Sequence, residues 1–162
     1  MPAQIILIRG NSGSGKTTLA QAVRAQLSDS CLISQDVFRK QILTEPDHTG
    51  NKSIDLMRTN IAWAQANVHY LIIEGILKQS VYGGMLTALH EEASTRMHTY
   101  YFDLPFAVAL ARNQTKAAPF PEAWLRRWWL EADELGFEDA IFTPDVDFAH
   151  QQAQIIADLT QK

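Results

Sequence analysis

The chain has 162 residues, of which 46% are hydrophobic and 20% charged, as is ordinary for one globular domain. Its net charge is -4 and it has no Lys/Arg run, which argues against a surface that binds a nucleic-acid backbone. The single cysteine, Cys31, excludes an internal disulfide, and the apolar stretch 5–8 is too short to span a bilayer. With no recognisable signal peptide, the sequence predicts a cytoplasmic protein with a single domain (1–162) and no membrane or nucleic-acid partner.

Short apolar runs alternate with longer amphipathic ones along the chain. Runs rich in Ile, Leu, Val or Tyr predict five strands, at 4–9, 31–34, 70–74, 99–103 and, more weakly, 140–143. Apolar residues at helical spacing predict helices at 15–27, 54–64, 86–93, 105–111, 121–135 and 155–159. This alternation is typical of a three-layer α/β/α sandwich with a five-stranded parallel sheet, in which ligands bind at the edge formed by the carboxyl ends of the strands.

The first predicted strand leads into a glycine-rich segment, 10–17, with the pattern G-x-x-x-x-G-K-T. Gly10, Gly13 and Gly15 permit backbone conformations that a Cβ would block, so that successive N–H groups can point at phosphate oxygens. Lys16 adds a positive charge for the β- and γ-phosphates, and the Thr17 hydroxyl is placed to ligate Mg²⁺. The predicted nucleotide-binding residues are therefore Gly10, Asn11, Ser12, Gly13, Ser14, Gly15, Lys16, Thr17 and Thr18.

Two acidic residues follow the next strands at the same predicted edge. Asp36 comes just after the second strand, where a carboxylate can accept the proton of an attacking hydroxyl, an effect typically worth about 10²–10⁴-fold in rate. The alternative is that Asp36 only caps the helical run behind it. Glu74 ends the third strand and is suited to hold Mg²⁺ through water.

These segments resemble those of known kinases. The glycine-rich segment resembles the P-loop NTPase superfamily, and Ser34-Gln35-Asp36 with 74–77 (EGIL) resembles the uridine kinase branch of P-loop kinases. The chain is also similar to small kinases of the chloramphenicol phosphotransferase and zeta-toxin kind. The resemblance implies ATP and Mg²⁺ as cofactors, Asp36 as catalytic base and Glu74 in the metal site. Uridine kinases carry an aromatic residue where this chain has Arg39, which suits an anionic or carbonyl-rich acceptor or is a solvated helix residue.

The segment after the fourth strand resembles the nucleotide-contacting part and the lid of such kinases. The resemblance places Arg112 against the adenine ring, although it could instead complement the end of its helix. Residues 123–129 (AWLRRWW) look like a lid, about 116–136, which brings an arginine to the transferring phosphate and excludes water. Arg126 and Arg127 are the candidates. The alternative is that they pair with Glu122 and Glu131 at i,i+4 spacing.

The sequence as a whole predicts an ATP-dependent kinase that transfers the γ-phosphoryl group to a hydroxyl of a small molecule such as a nucleoside, a sugar or an antibiotic. The alternatives are an ATPase or switch without a small acceptor, and a kinase acting on an RNA end or another macromolecule. The predicted acceptor site contains Asp36, Arg39, Glu74 and Tyr82, the last placed before a turn at Gly83-Gly84. The predicted catalytic residues are Lys16, Asp36, Arg126 and Arg127.

Overall fold

A computed structural model describes residues 1–160. It confirms the five-stranded sheet, in which all pairs are parallel and the order is β2-β3-β1-β4-β5. The strands are β1 (Gln4–Gly10), β2 (Ser30–Ser34), β3 (Tyr70–Gly75), β4 (Met97–Phe102) and β5 (Ala140–Phe142).

Helices connect the strands and cover both faces of the sheet. They are α1 (Lys16–Arg24), α2 (Lys52–Asn67), α3 (Gln79–Ala93), α4 (Phe106–Gln114), α5 (Glu122–Trp128) and α6 (Phe148–Asp158), with a π-helical segment at Val37–Ile42 and a 3-10 turn at Ser94–Arg96. None of the helices in the described part of the chain is long and apolar enough to cross a membrane.

Each face of the central strand supports its own hydrophobic core. Side chains alternate along a strand, so Ile5 and Leu7 lie in a core with α2 and α3, while Ile6 and Ile8 lie in a second core with α1 and α6. Because both faces are covered, β1 is apolar from Ile5 to Ile8 rather than alternating. The predicted three-layer α/β/α sandwich is therefore confirmed.

Two local predictions are wrong. The helix predicted for 121–135 ends at Trp128, and Trp129 is extended. Hydrogen bonds to the side chain of Asn11 hold the N–H and C=O of Leu130, and these contacts outweigh the helical periodicity of the sequence. The turn predicted at Gly83-Gly84 does not form, because α3 runs through both residues and buries Gly83.

A buried arginine holds the segment after α5 in place. Arg9 lies at the end of β1 with no solvent exposure, and it donates to the Asp133 carboxylate and to the Asp133 carbonyl, both at 2.7 Å. Its Nε and Nη2 donate to the carbonyl of Leu77 at 3.1 and 3.0 Å. Burial lowers the pKa of Arg9, whereas Asp133, Glu138 and Tyr101 raise it. The carboxylates that compensate this buried charge, those of Asp133 and Glu138, lie 124 or more residues further along the chain.

We expect Asp133→Ala to lower the free energy of unfolding by at least about 2 kcal/mol. Removing one partner of a buried ion pair typically costs 3–5 kcal/mol, and Glu138, 3.7 Å from Arg9 Nη1, retains part of the compensation. Urea unfolding measures the change, with Glu134→Ala as the control, because Glu134 is exposed and its loss should stay within about 0.5 kcal/mol. Equal stability of the two variants would contradict this role of Arg9.

Candidate active site

The glycine-rich loop has a shape that requires its glycines. Gly13 and Gly15 have φ values of +80° and +98°, in the left-handed region that L side chains rarely adopt. At Gly10 the constraint is space, because a Cβ there would lie 2.8 Å from the Cβ of Phe102. The loop therefore wraps tightly between β1 and the start of α1, with its amides at the helix N-terminus.

Two buried polar groups of the loop have few or no hydrogen-bond partners within the described residues. Lys16 is buried and its Nζ donates to the carbonyl of Asn11 at 3.1 Å. Burial lowers the pKa of Lys16, while Glu74 and Asp36 raise it. The buried Ser14 Oγ has no hydrogen-bond partner within residues 1–160. A desolvated ammonium and a spare hydroxyl beside a nest of amides fit the phosphates of a nucleotide.

The carboxylate of Glu74 lies beside the start of α1. Glu74 is buried at the end of β3, where its Oε2 accepts from the Thr17 hydroxyl at 3.2 Å and its Oε1 accepts from the Ser34 hydroxyl at 2.5 Å. The Thr17 hydroxyl and the Glu74 carboxylate are oxygen ligands of the kind that Mg²⁺ prefers, so these two side chains fit a magnesium ion. Ser34 orients the carboxylate.

Gln35 and Gly75 belong to the two motif segments that follow β2 and β3, and their contact, which the sequence does not predict, shapes the same edge of the sheet. A Cβ at Gly75 would lie 2.6 Å from the Gln35 side chain, so the glycine makes room for that side chain. The Oε1 atom of Gln35 in turn accepts from the N–H of Leu77 at 2.8 Å. This contact fixes the turn after β3, which carries the carbonyl that Arg9 binds.

Asp36 lies at the mouth of the site and does not cap a helix. Its side chain makes no capping hydrogen bond within the described chain and is more than half exposed. It accepts from Lys40 Nζ at 2.8 Å, and Arg39 Nη2 lies 3.5 Å away. The π-helical segment Val37–Ile42 carries both cations, and the Asp36 side chain lines the cavity beside it.

A single cavity of about 900 Å³ joins these groups. It extends from the glycine-rich loop to the π-helical segment and to the loop around Asp47. Of the predicted site residues, the cavity wall contains Ser12, Lys16, Thr17, Asp36, Arg39, Glu74 and Arg127. The volume is in the range of small-molecule sites in proteins.

Tyr82 lies behind the wall of the cavity, not in it. It is fully buried in α3, donates its hydroxyl hydrogen to Asp47 Oδ1 at 3.1 Å and accepts from Asn51 Nδ2 at 3.2 Å. Asp47 is part of the wall and also lies 3.4 Å from Lys78. Tyr82 thus positions a lining carboxylate.

The two candidate arginines of α5 have different environments. Arg126 pairs with Glu122 at 2.6 Å and lies over the ring of Phe106 at 4.4 Å, outside the cavity wall. Arg127 lines the cavity together with Trp128. The i,i+4 pairing of Arg127 with Glu131 does not occur, because the helix ends before Glu131, whose carboxylate accepts from Trp129 Nε1 at 3.1 Å.

Two asparagine side chains bracket the segment that contains α5. The Asn113 amide bonds both the N–H and the C=O of Phe120, at 3.0 and 2.8 Å. The Asn11 amide does the same for Leu130, at 2.9 and 2.7 Å. A side-chain amide can replace a backbone partner in this way because it has a donor and an acceptor side by side. Within the predicted lid, about 116–136, Phe120 is therefore tied to α4 and Leu130 to the glycine-rich loop.

The two remaining predicted nucleotide contacts do not line the cavity. Arg112, in the last turn of α4, donates to the carbonyl of Ser14 at 2.6 Å and so supports the loop. Thr18 is exposed in the first turn of α1.

Comparisons with known proteins agree with this geometry. A family model described as an AAA domain matches residues 5–135. No curated protein sequence matches the chain.

Several solved structures share the fold. The tunicamycin resistance protein of Deinococcus radiodurans is 17% identical with a TM-score of 0.69, covering 99% of this chain and 97% of the other. A gluconokinase of Sinorhizobium meliloti is 17% identical with a TM-score of 0.64, covering 98% and 91%. The APS kinase of Mycobacterium tuberculosis, in complex with AMPPNP and APS, is 16% identical with a TM-score of 0.68, covering 99% of both chains. At these identities the likeness shows the fold, which is that of P-loop kinases.

We expect Asn11→Ala to free the carboxyl end of the bracketed segment. Two hydrogen bonds to Leu130 disappear, each worth about 0.5–1.5 kcal/mol, so backbone amides around Leu130 should exchange with deuterium roughly tenfold faster or more. Asn67→Ala is the control, because that side chain bonds only a carbonyl of its own helix, on the surface. Unchanged exchange at 129–131 would show that Asn11 does not hold the segment.

Proposed function

We propose that this chain, which belongs to the AAA domain family, is an ATP-dependent kinase that transfers the γ-phosphoryl group to a hydroxyl of a small molecule. The observation that carries the proposal is the single cavity that contains both the phosphate-binding Lys16 and the exposed carboxylate of Asp36. A phosphate donor and an alcohol acceptor can meet only where both groups face one space. Since the reaction consumes ATP, we place the protein in the cytoplasm.

The nucleotide end of the cavity is built to hold a triphosphate. The loop amides and Lys16 would bind the phosphates, and the partly unsatisfied Lys16 and Ser14 support this assignment. Thr17 and Glu74 would hold Mg²⁺, which when bound neutralises charge that develops on the phosphates. The APS kinase that shares this fold was solved with AMPPNP, an ATP analogue.

At the acceptor end, Asp36 would act as the general base. The acceptor oxygen attacks the γ-phosphorus, its proton passes to the Asp36 carboxylate, and the bond from the γ-phosphorus to the bridging oxygen of ADP breaks. Lys40, 2.8 Å from Asp36, would orient the carboxylate toward the acceptor. Positioning and electrostatics carry most of the rate in such transfers.

Arg127 and Trp128 would complete the site from the side of α5. Both line the cavity, so the guanidinium can bind the oxygens of the transferring phosphate while the indole excludes water. Phe120, which packs edge-on against Trp128 with ring centroids 5.4 Å apart, extends this apolar wall. A dry site favours transfer to the acceptor over hydrolysis of ATP.

The test of the proposed function is a screen of hydroxylated metabolites for acceptor-dependent ADP release, followed by Asp36→Asn. The variant should bind Mg·AMPPNP as the wild type does in calorimetry but turn over at least about tenfold more slowly, because only proton transfer is lost. Asp55→Asn, on the exposed side of α2, is the matched control. ADP release that no acceptor accelerates, or full activity of Asp36→Asn, would refute the kinase assignment.

The two lid arginines give a second test. We expect Arg127→Ala to lower kcat by about 10² or more, as removal of a transition-state donor typically does. Arg126→Ala should change kcat less than about threefold, because Arg126 lies outside the cavity wall, where it pairs with exposed Glu122 and covers the Phe106 ring. Steady-state kinetics at saturating ATP measure both. A larger loss in Arg126→Ala would assign the role to the other arginine.

A further inference from the structure

The acceptor end of the cavity carries more positive than negative groups. Besides Lys16 and Glu74 at the nucleotide end, the ionisable side chains of the wall are the cations Arg39, Lys40, Lys78 and Arg127 and the carboxylates Asp36 and Asp47. Lys40 pairs with Asp36 at 2.8 Å, and Lys78 lies 3.4 Å from Asp47. These two pairs leave Arg39 and Arg127 as the excess positive charge. Arg127 is the residue proposed above to bind the transferring phosphate, which leaves Arg39 for the acceptor.

The Arg39 guanidinium is fixed by a hydrogen bond, but not all of its N–H donors have partners within the described residues. Its side chain is only 16% exposed, compared with 48% for Lys40. The Nη1 atom donates to the carbonyl of Glu45 at 3.0 Å, which fixes the guanidinium. The Nη2 atom is 3.5 Å from Asp36, at the limit of a hydrogen bond, and the buried Nε has no partner in the described part of the chain. A largely desolvated guanidinium with free donors attracts an anion that can accept more than one hydrogen bond.

From this we infer that the acceptor is an anionic alcohol, a small molecule in which a carboxylate or phosphate group bound by Arg39 accompanies the hydroxyl that Asp36 activates. The inference rests on the proposed function and narrows it. Arg39 and Asp36 lie 3.5 Å apart on the same segment, so the anionic group and the reacting hydroxyl belong to neighbouring parts of one molecule. Neutral nucleosides and neutral sugars lack the group that Arg39 would bind.

The experiment compares acceptors that differ in the charged group alone. Glycerate is paired with glycerol and gluconate with glucitol, and glycerol 3-phosphate tests a phosphate in place of a carboxylate. Acceptor-dependent ADP release and the change in melting temperature with Mg·AMPPNP present are measured for each. We expect an anionic member to bind, and to be used with a kcat/KM at least about tenfold above that of its neutral partner, because a site built for a charged group leaves its donors unpaired when that group is missing.

Variants of Arg39 test whether this residue causes the preference for anionic acceptors. Arg39→Gln should raise the KM for the anionic acceptor at least about tenfold while kcat changes little, and Arg39→Lys should restore part of the loss. The ratio of kcat/KM between the anionic member and its neutral partner should fall accordingly. Arg58→Gln is the control, because Arg58 is exposed on α2 away from the cavity, and it should leave every value unchanged.

The outcomes separate the two proposals. The anion site is refuted if neutral acceptors bind and react as well as anionic ones, or if none of the anionic probes binds. It is also refuted if Arg39→Gln still prefers anionic acceptors over neutral ones. In each case the kinase assignment is judged separately, by the screen for acceptor-dependent ADP release. If anionic probes raise the melting temperature in wild type but not in Arg39→Gln, and no hydroxylated compound accelerates ADP release, the anion site stands and the kinase assignment fails.

Discussion

The burial of Arg9 is the constraint on which the arrangement of the site depends. A guanidinium without solvent is costly unless carboxylates and carbonyls surround it, and here they come from the turn after β3 and from the segment after α5. Asp133 extends the network, because its carboxylate also accepts from the N–H of Gln79 at 2.9 Å and its own N–H donates to the Tyr101 hydroxyl at 3.0 Å. One charge at the end of the central strand therefore ties together the ends of β1, β3 and β4 and the first turn of α3. The turn after β3 that Arg9 binds also carries Gly75, Ile76 and Lys78, which line the cavity.

Two asparagine side chains hold the residues on either side of α5. Asn11 and Asn113 bind Leu130 and Phe120 through paired backbone hydrogen bonds, and Asp133, further along the chain, binds Arg9. Between these two points, α5 buries Leu125, packs Trp128 against Phe120 and places Arg126 over the Phe106 ring, while the exposed pair of Arg126 with Glu122 lies within the helix itself. In the proposed function, Arg127 would bind the transferring phosphate from this short helix.

Local patterns predicted the sheet, the glycine-rich loop and the sheet edge where Asp36 and Glu74 lie, because buried strands and amphipathic helices leave periodic signals and the loop has a fixed spacing. These patterns fail where a residue distant in sequence determines the local structure. The helical pattern continues past Trp128, yet Asn11, 119 residues away from Leu130, ends the helix. No motif includes Arg9, and the motif that includes Gln35 gives no indication of its contact with Leu77, because both residues act through partners that are distant in sequence. The sequence predicts Tyr82 in the acceptor site, whereas the structure places it behind the cavity wall, where it positions Asp47 through a hydrogen bond.

Two of the residues with unsatisfied polar groups belong to the proposed site. Four buried side-chain atoms have no hydrogen-bond partner within the described residues; of these, Ser14 Oγ lies in the glycine-rich loop and Arg39 Nε belongs to a residue of the cavity wall, while His90 Nδ1 and Thr99 Oγ1 lie elsewhere. Lys16 adds a buried ammonium with one carbonyl as its hydrogen-bond partner. An unpaired buried donor weakens a fold, and natural sequences tolerate such conflicts chiefly where function requires them. A phosphate at one end and an anionic acceptor at the other would satisfy these groups together, and that is the physical reason to assign both ligands to one site.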